Sequence, residues 1–400
     1  MADNITAEEY RAEISMLNHE IYELQKKLDQ KEMEKIEDSA INPYDPFNNP
    51  TDYPDFSGDY REILPQASQP GCQIPLSPGR SERIRLRKYY SIGGTLMLVH
   101  LAVSMLLGLG LLALIMLFLQ LKNPEASYGS LSEYAKSSSL TVAVNTIAYL
   151  AANVGVVIIG LKWAKIDGSS LIRTRDFSFA RSVQYCLAAI FIQHAAAILC
   201  SGISDIFEKY GYDPSRDMGD TFASTTTGVV ISVLYSCIIA PITEELFFRG
   251  MLLKLLSKAN QRFAIAATAV FFGLFHGNLP QFLLAFLLGV FFAHITLKHN
   301  SIVPAIIAHS FVNTISTVVN FIYTNYKGSF IVTGANLIYI LIAMAGFIML
   351  MEFLMKNKLP RTTPQQSCRG FSVAKTSVPM VLALVSFSFL MIAEILMTKK

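Results

Sequence analysis

Glu244 and Glu245 stand side by side, with Arg249 four residues after the second, inside a run too apolar to be at home in water. From Val229 to Thr243 that run holds Ser232, Tyr235, Ser236 and Thr243 among its polar residues and no charge. An ionisable group at bilayer depth costs on the order of 3 kcal/mol even on a lenient insertion scale, so by default it marks function. Two further apolar runs carry His276, with Phe272 four residues before it, and the pair His309 and Asn313. A carboxylate beside a histidine can draw a proton from water, and a second histidine with an amide can hold an oxyanion. Such groups, kept out of bulk water, are the parts of a hydrolytic site.

Spacing gives each group a task. Glu245 and Arg249 are i,i+4 on a helix, so they share a face, and pairing lowers the cost of burying both. Glu244 is turned by ~100° from Glu245 and is free for chemistry. His309 and Asn313 are again i,i+4, so imidazole and amide can point at one spot. At 1.5 Å per residue, Glu244 lies ~15 Å in from Lys254 and His276 ~21 Å in from Arg262, with His309 ~12 Å and Asn313 ~18 Å in from Ser301. The groups can therefore meet in one layer. The bland alternative is polar glue between helices. It suits Glu245 and Arg249 even in an active enzyme, but not Glu244, His276, His309 and Asn313 jointly. His100, His194, His294 and His299 read as core or interfacial histidines.

The order Glu244-Glu245-x-x-x-Arg249, Phe272-x-x-x-His276, His309-x-x-x-Asn313 resembles the motif set of the CAAX prenyl protease/bacteriocin-processing (CPBP, or Abi) intramembrane endopeptidases. The resemblance covers roughly residues 220–325. It implies that Glu244 activates water with help from His276, and that His309 and Asn313 form the oxyanion site. It also implies that Glu245 and Arg249 brace the helix, that Phe272 walls the pocket, and that no cofactor is needed.

Those groups must be positioned by membrane helices. The chain has 400 residues, 52% of them hydrophobic and only 16% charged, with a mean hydropathy of +0.40. A soluble protein carries nearer 25% charge. The expected fold class is all-α, a polytopic membrane helical bundle. About nine spans are expected, near 92–121, 140–161, 182–203, 226–250, 263–279, 281–297, 301–323, 332–355 and 378–397. The short fifth and sixth, joined by Gly277-Asn278-Leu279-Pro280, suggest a shallow hairpin around the site. Lys and Arg follow the even-numbered spans, which puts the N-terminus in the cytoplasm and the C-terminus outside. The expected setting is the cell membrane, and no cleavable leader is expected, since the first apolar run begins near Ile92.

The expected organisation is a cytoplasmic amphipathic helix over 1–38, a disordered Pro- and Asn-rich linker with a basic collar (Arg80, Arg83, Arg85, Arg87, Lys88) over 39–88, and N-terminal spans over 89–215. A catalytic core over 216–330 and C-terminal spans over 331–400 complete it. Tyr10, Ile14, Leu17, Ile21, Leu24 and Leu28 alternate steps of four and three, so residues 10–28 offer a seam for self-association or form an isolated amphipathic helix. Cys72, Cys186, Cys200, Cys237 and Cys368 lack metal-finger spacing and read as small hydrophobes. Membrane lipid and a peptide or lipidated-protein substrate are the expected partners, with no nucleic acid.

Three rivals stand. Glu244, His276 and His309 would also make a zinc site with an open position. A non-catalytic immunity or scaffold protein would use the polar set for packing alone. A transporter would carry an internal repeat, and none is visible. Serine and aspartyl chemistry lack their Gly-x-Ser-Gly and Gly-x-Gly-Asp signatures.

Overall fold

A bilayer interior offers backbone groups no water to bond, and the α-helix answers that by satisfying them within the segment. The computed structural model describes residues 7–41, 79–137, 139–172, 178–214, 225–358 and 368–399, and among them every regular element is helical. The elements are α1 (Ala7–Ile41), α2 (Arg80–Lys122), α3 (Tyr128–Ser137), α4 (Ser139–Ala164), α5 (Phe179–Lys209) and α6 (Thr226–Ser257). They continue as α7 (Gln261–Leu274), α8 (Leu279–His299), α9 (Val303–Asn325), α10 (Phe330–Lys356), α11 (Phe371–Ala374) and α12 (Val378–Met397). The expected linker lies mostly outside the described residues, but its basic collar does not. Arg80 opens α2, so the collar is the first turns of a membrane helix.

Eight of these helices are long and apolar enough to cross a membrane, and the chain is a multi-pass membrane protein. The expected fifth span, 263–279, is corrected. Its helix, α7, has 14 residues, a length of ~21 Å against the ~30 Å of hydrocarbon. The cause is local. Gly277 has φ 74°, Asn278 caps α8 by accepting from the Gln281 N–H, and Pro280 sits in the first turn of α8. A left-handed glycine followed by an N-cap and a proline ends one helix and starts the next. The α7–α8 hairpin expected from this turn forms, with the pair closely packed.

Two large apolar cores make the bundle, and a small third one packs α3 on α2 through Ile115, Leu119, Leu131 and Ala135. One of the large cores joins α2, α4, α6, α7 and α12 through residues such as Leu96, Phe247, Met251, Ile265 and Met380. The other joins α5, α8, α9 and α10 through Tyr185, Phe292, Ala308 and Phe353. In the second, a Cβ on Gly346 would lie 2.1 Å from the Leu187 carbonyl oxygen, so α5 and α10 approach at a distance only glycine permits. Helix α8 belongs to both cores and lies at their junction.

The basic helix ends gather at one end of the bundle. Tyr185 near the start of α5 meets His299 at the end of α8 at 2.6 Å, Glu82 pairs with Arg369 at 2.7 Å, and Lys258 donates to the Ala164 carbonyl at 3.2 Å. Lys254 and Lys258, at the end of α6, are buried, Lys254 donating to the Ser170 hydroxyl. At the other end, the Asp213 N–H donates to the Thr398 carbonyl at 3.1 Å, which brings the exits of α5 and α12 together.

Candidate active site

Helix α6 is not regular where it carries the glutamates. Tyr235–Ile239 and Leu246–Leu253 are π-helical, and the α-helical turn Ala240–Glu245 lies between them. Such bulges are rare and cluster at functional sites. In the first of them the Ala240 N–H bonds the Tyr235 carbonyl, five residues back. The next donor in that pattern would be Pro241, which has no N–H, so the Ser236 carbonyl loses its chain partner. Asn313 Nδ2 supplies the missing donor at 2.8 Å. Proline and bulge together thus create the acceptor that pins α9 onto α6, less than three turns before Glu244.

Glu245 and Arg249 meet as their spacing predicts, Arg249 Nη1 donating to Glu245 Oε1 at 2.8 Å with neither side chain exposed. Arg249 Nη2 also donates to the Gly289 carbonyl at 3.3 Å. The guanidinium lies 4.3 Å from the Phe272 ring centroid, with the Phe292 ring at 5.5 Å. In a desolvated site such cation–π contacts contribute about 2 kcal/mol. A third partner was not anticipated. His309 Nδ1 donates to the same Glu245 oxygen at 2.9 Å, while Glu245 Oε2 has no partner among the described residues.

Glu244 turns another way, as expected, and keeps 12% of its side chain exposed. Its Oε2 nevertheless lies 3.9 Å from His309 Nε2. One imidazole therefore faces both carboxylates, one at each nitrogen. Glu245 fixes the hydrogen at Nδ1, which leaves Nε2 to act toward Glu244. The separation exceeds a direct hydrogen bond and suits a bridged one.

His276 is not on a helix. It follows the C-terminal residue of α7 by two positions, in the turn that Gly277 forces. Its Nδ1 is 2.8 Å from the Phe272 carbonyl oxygen, so Nδ1 carries the hydrogen and Nε2 is the acceptor of the neutral ring. The Phe272 ring stands edge-on to His276 at 5.3 Å and to His309 at 5.7 Å. It also lies under Arg249, so a single phenyl ring holds three polar groups in place.

Glu244, Glu245, Arg249, Phe272 and His309 thus form one contacting cluster; His276 joins it through Phe272, and Asn313 through Ser236. Glu244, His276 and His309 are spread rather than gathered, and no three His, Cys, Asp or Glu side chains among the described residues converge as metal ligands. Sequence reasoning missed the π-turns, the Ser236 acceptor and a polar path that ends at Thr243. Pro241 was the legible signal for the free carbonyl. Read as an α-helix, however, it points to Cys237, four residues back, and the bulge shifts the freed group by one.

Residues 226–315 match the profile of the family described as Type II CAAX prenyl endopeptidase Rce1-like. The chain is also 31% identical over 140 residues to YdiL of Bacillus subtilis (strain 168), provisionally named a membrane peptidase. That alignment takes in 34% of this chain and 56% of the relative, so the chain spans little more than half the length of the curated relative it matches. No solved structure matches. The profile begins at the start of α6 and ends two residues past Asn313, which takes in the whole cluster built above, and over those residues the chain is similar to the Rce1-like CAAX prenyl endopeptidases.

Proposed function

We propose that the protein is an intramembrane endopeptidase in which Glu244 activates water. The observation that carries this reading is the pair of carboxylates divided between the two nitrogens of His309, one fully buried and the other partly exposed. Glu245 is committed to Arg249 and His309. Glu244 has no such commitment and can act as base.

In the proposed cycle Glu244 takes a proton from water, and the oxygen attacks the carbonyl carbon of a peptide bond. The carbonyl oxygen becomes an oxyanion, received by the second amide hydrogen of Asn313 and by His309, whose Nε2 must then carry a hydrogen in addition to the one Nδ1 gives Glu245. Proton return to the amide nitrogen breaks the C–N bond, releasing a carboxyl end and an amine end. His276, through Nε2, assists in holding the water. This cycle needs no metal; a zinc ion on Glu244, His276 and His309 is the alternative, and it requires those three to draw together. Membrane-bound peptides are the proposed substrate class, with lipidated C-termini foremost given the family profile. The basic helix ends face the cytoplasm and the C-terminus lies outside, by the distribution of Lys and Arg. Helix α1 serves self-association through residues 10–28.

The test is Glu244→Gln, assayed in proteoliposomes on a quenched fluorescent peptide that ends in a farnesylated Cys-aliphatic-aliphatic-X box. Loss of a general base lowers kcat by ~10²–10⁴, while thermal stability in detergent stays near native. Cleavage by the variant at more than about a tenth of the native rate would exclude Glu244 as base. Full loss of activity on chelation, with stoichiometric zinc, would install the metal alternative.

A further inference from the structure

Three buried polar side chains outside the motif set converge on the turn that carries Glu244. His100 on α2 bonds Asn153 on α4, Nε2 to Oδ1 at 2.6 Å. Asn153 Nδ2 donates to Thr243 Oγ1 at 3.1 Å, and Thr243 Oγ1 donates to the Ala240 carbonyl at 3.2 Å. Ser104 Oγ lies 3.4 Å from His100 Nδ1. Thr243 has one hydrogen and gives it to Ala240, so it must accept from the amide, and Asn153 Oδ1 must accept from His100. Every bond then runs one way, from Ser104 to the Ala240 carbonyl, and a chain polarised in one direction strengthens cooperatively.

The location sets this network apart from general helix glue. It ends within the α-helical turn Ala240–Glu245 that two π-turns isolate from the regular ladder of α6. Bulges on both sides leave the rotation of that turn to be set by side chains. The His100 ring, moreover, packs at 5.0 Å against both Phe247, three residues after Glu244, and Phe275, the residue before His276. His100 and Asn153 are each 1% exposed and Thr243 4%, so solvent cannot replace any partner.

We infer that His100, Asn153 and Thr243 are positioning residues that fix the Glu244 carboxylate relative to His309 and His276. This rests on the peptidase reading above. A displacement of about an ångström at a reacting group costs on the order of a hundredfold in rate.

Thr243→Val removes the hydroxyl at nearly constant shape, and Thr243→Ser restores it. In proteoliposomes with the same farnesylated peptide, kcat for Thr243→Val falls about tenfold to a hundredfold. KM stays within about twofold, because substrate binding is untouched, and Thr243→Ser recovers most of the loss. A native kcat per folded molecule in Thr243→Val overturns the inference. Glu244→Gln, run in parallel, separates the two claims. If it cleaves like the native protein, or if the native protein leaves the peptide intact, the peptidase reading fails by itself. Amide hydrogen exchange over residues 236–249 then decides. Faster exchange in Thr243→Val that Thr243→Ser reverses supports positioning, and unchanged exchange overturns it.

Discussion

In α6, Glu245 and Arg249 lose all contact with solvent, whereas in α1 the residues Ile14, Leu17, Ile21, Leu24 and Leu28 leave 52–60% of their surface exposed. One segment buries charge and the other exposes hydrocarbon, and each departs from the pattern a stable element prefers. The difference lies in how the departure is settled. In α6 the charges find partners within the chain: a carboxylate, a carbonyl, a histidine and three phenyl rings. In α1 the apolar stripe finds none within the described residues. A site that solves its own electrostatics is built to hold a geometry, whereas a stripe left open is built to meet something else.

The largest effect comes from unsettling α6. Glu245→Gln removes the charge that answers both Arg249 and His309. Breaking one side of a buried pair costs ~3–5 kcal/mol, so folded yield in detergent drops sharply. The double variant Glu245→Gln with Arg249→Met removes both charges, and replacing a buried pair with apolar bulk is near neutral. Yield therefore returns toward native in the double variant. A Glu245→Gln protein with native yield and melting temperature, but no activity, would exchange the roles assigned to the two glutamates.

Asn313 sharpens the comparison because it has both kinds of task. One amide hydrogen holds the Ser236 carbonyl, and the other is proposed for the oxyanion. Removing an oxyanion donor costs ~10²–10³ in kcat. Asn313→Ala should show that loss with little change in KM, plus a modest loss of stability from the Ser236 acceptor left unpaired. A large fall in stability with unchanged kcat per folded molecule would assign Asn313 to packing alone. Under the zinc alternative the metal polarises the carbonyl, and the kinetic loss should be mild.

The legibility of these regions follows the range of the forces involved. Apolar runs and i,i+4 spacing are local, so the membrane bundle, the Glu245–Arg249 pair and the α7–α8 turn were readable from sequence. The length of α7 was not, because the turn that ends it depends on Gly277, whose positive φ only the backbone reveals. His309 was read as a partner of Asn313, its neighbour on the helix. It bonds Glu245, 64 positions away, through packing that no local pattern encodes. His100 was read as a core histidine and is one. What sequence could not show is that its bonds lead to the turn that carries Glu244. The burial of Lys254 and Lys258 has no local signal either, since their partners lie in the loop 164–171, more than 80 positions away.

The smallest effect on catalysis, and the sharpest test of the contrast, belongs to α1. Ile14, Ile21 and Leu28 form one row of its seam, with Leu17 and Leu24 in the other. β-Branched Ile14 and Ile21 in the first row with leucine in the second favour two parallel strands. Copies inserted in one bilayer present α1 on the same side, which is compatible with that orientation, and confinement raises their effective concentration. Deletion of residues 1–78 should leave cleavage of a short farnesylated peptide within about twofold of native, since no group of the site lies on α1. In a Cys72→Ser background, Ile21→Cys should cross-link two copies in native membranes under mild oxidation. Met16→Cys, on a different face and 70% exposed, should not. Equal cross-linking at both positions, or none at either, would mean that α1 pairs with something other than its own copy. Loss of cleavage in the truncated but folded chain would mean that α1 and α6 are parts of one site, and the contrast between them would fall.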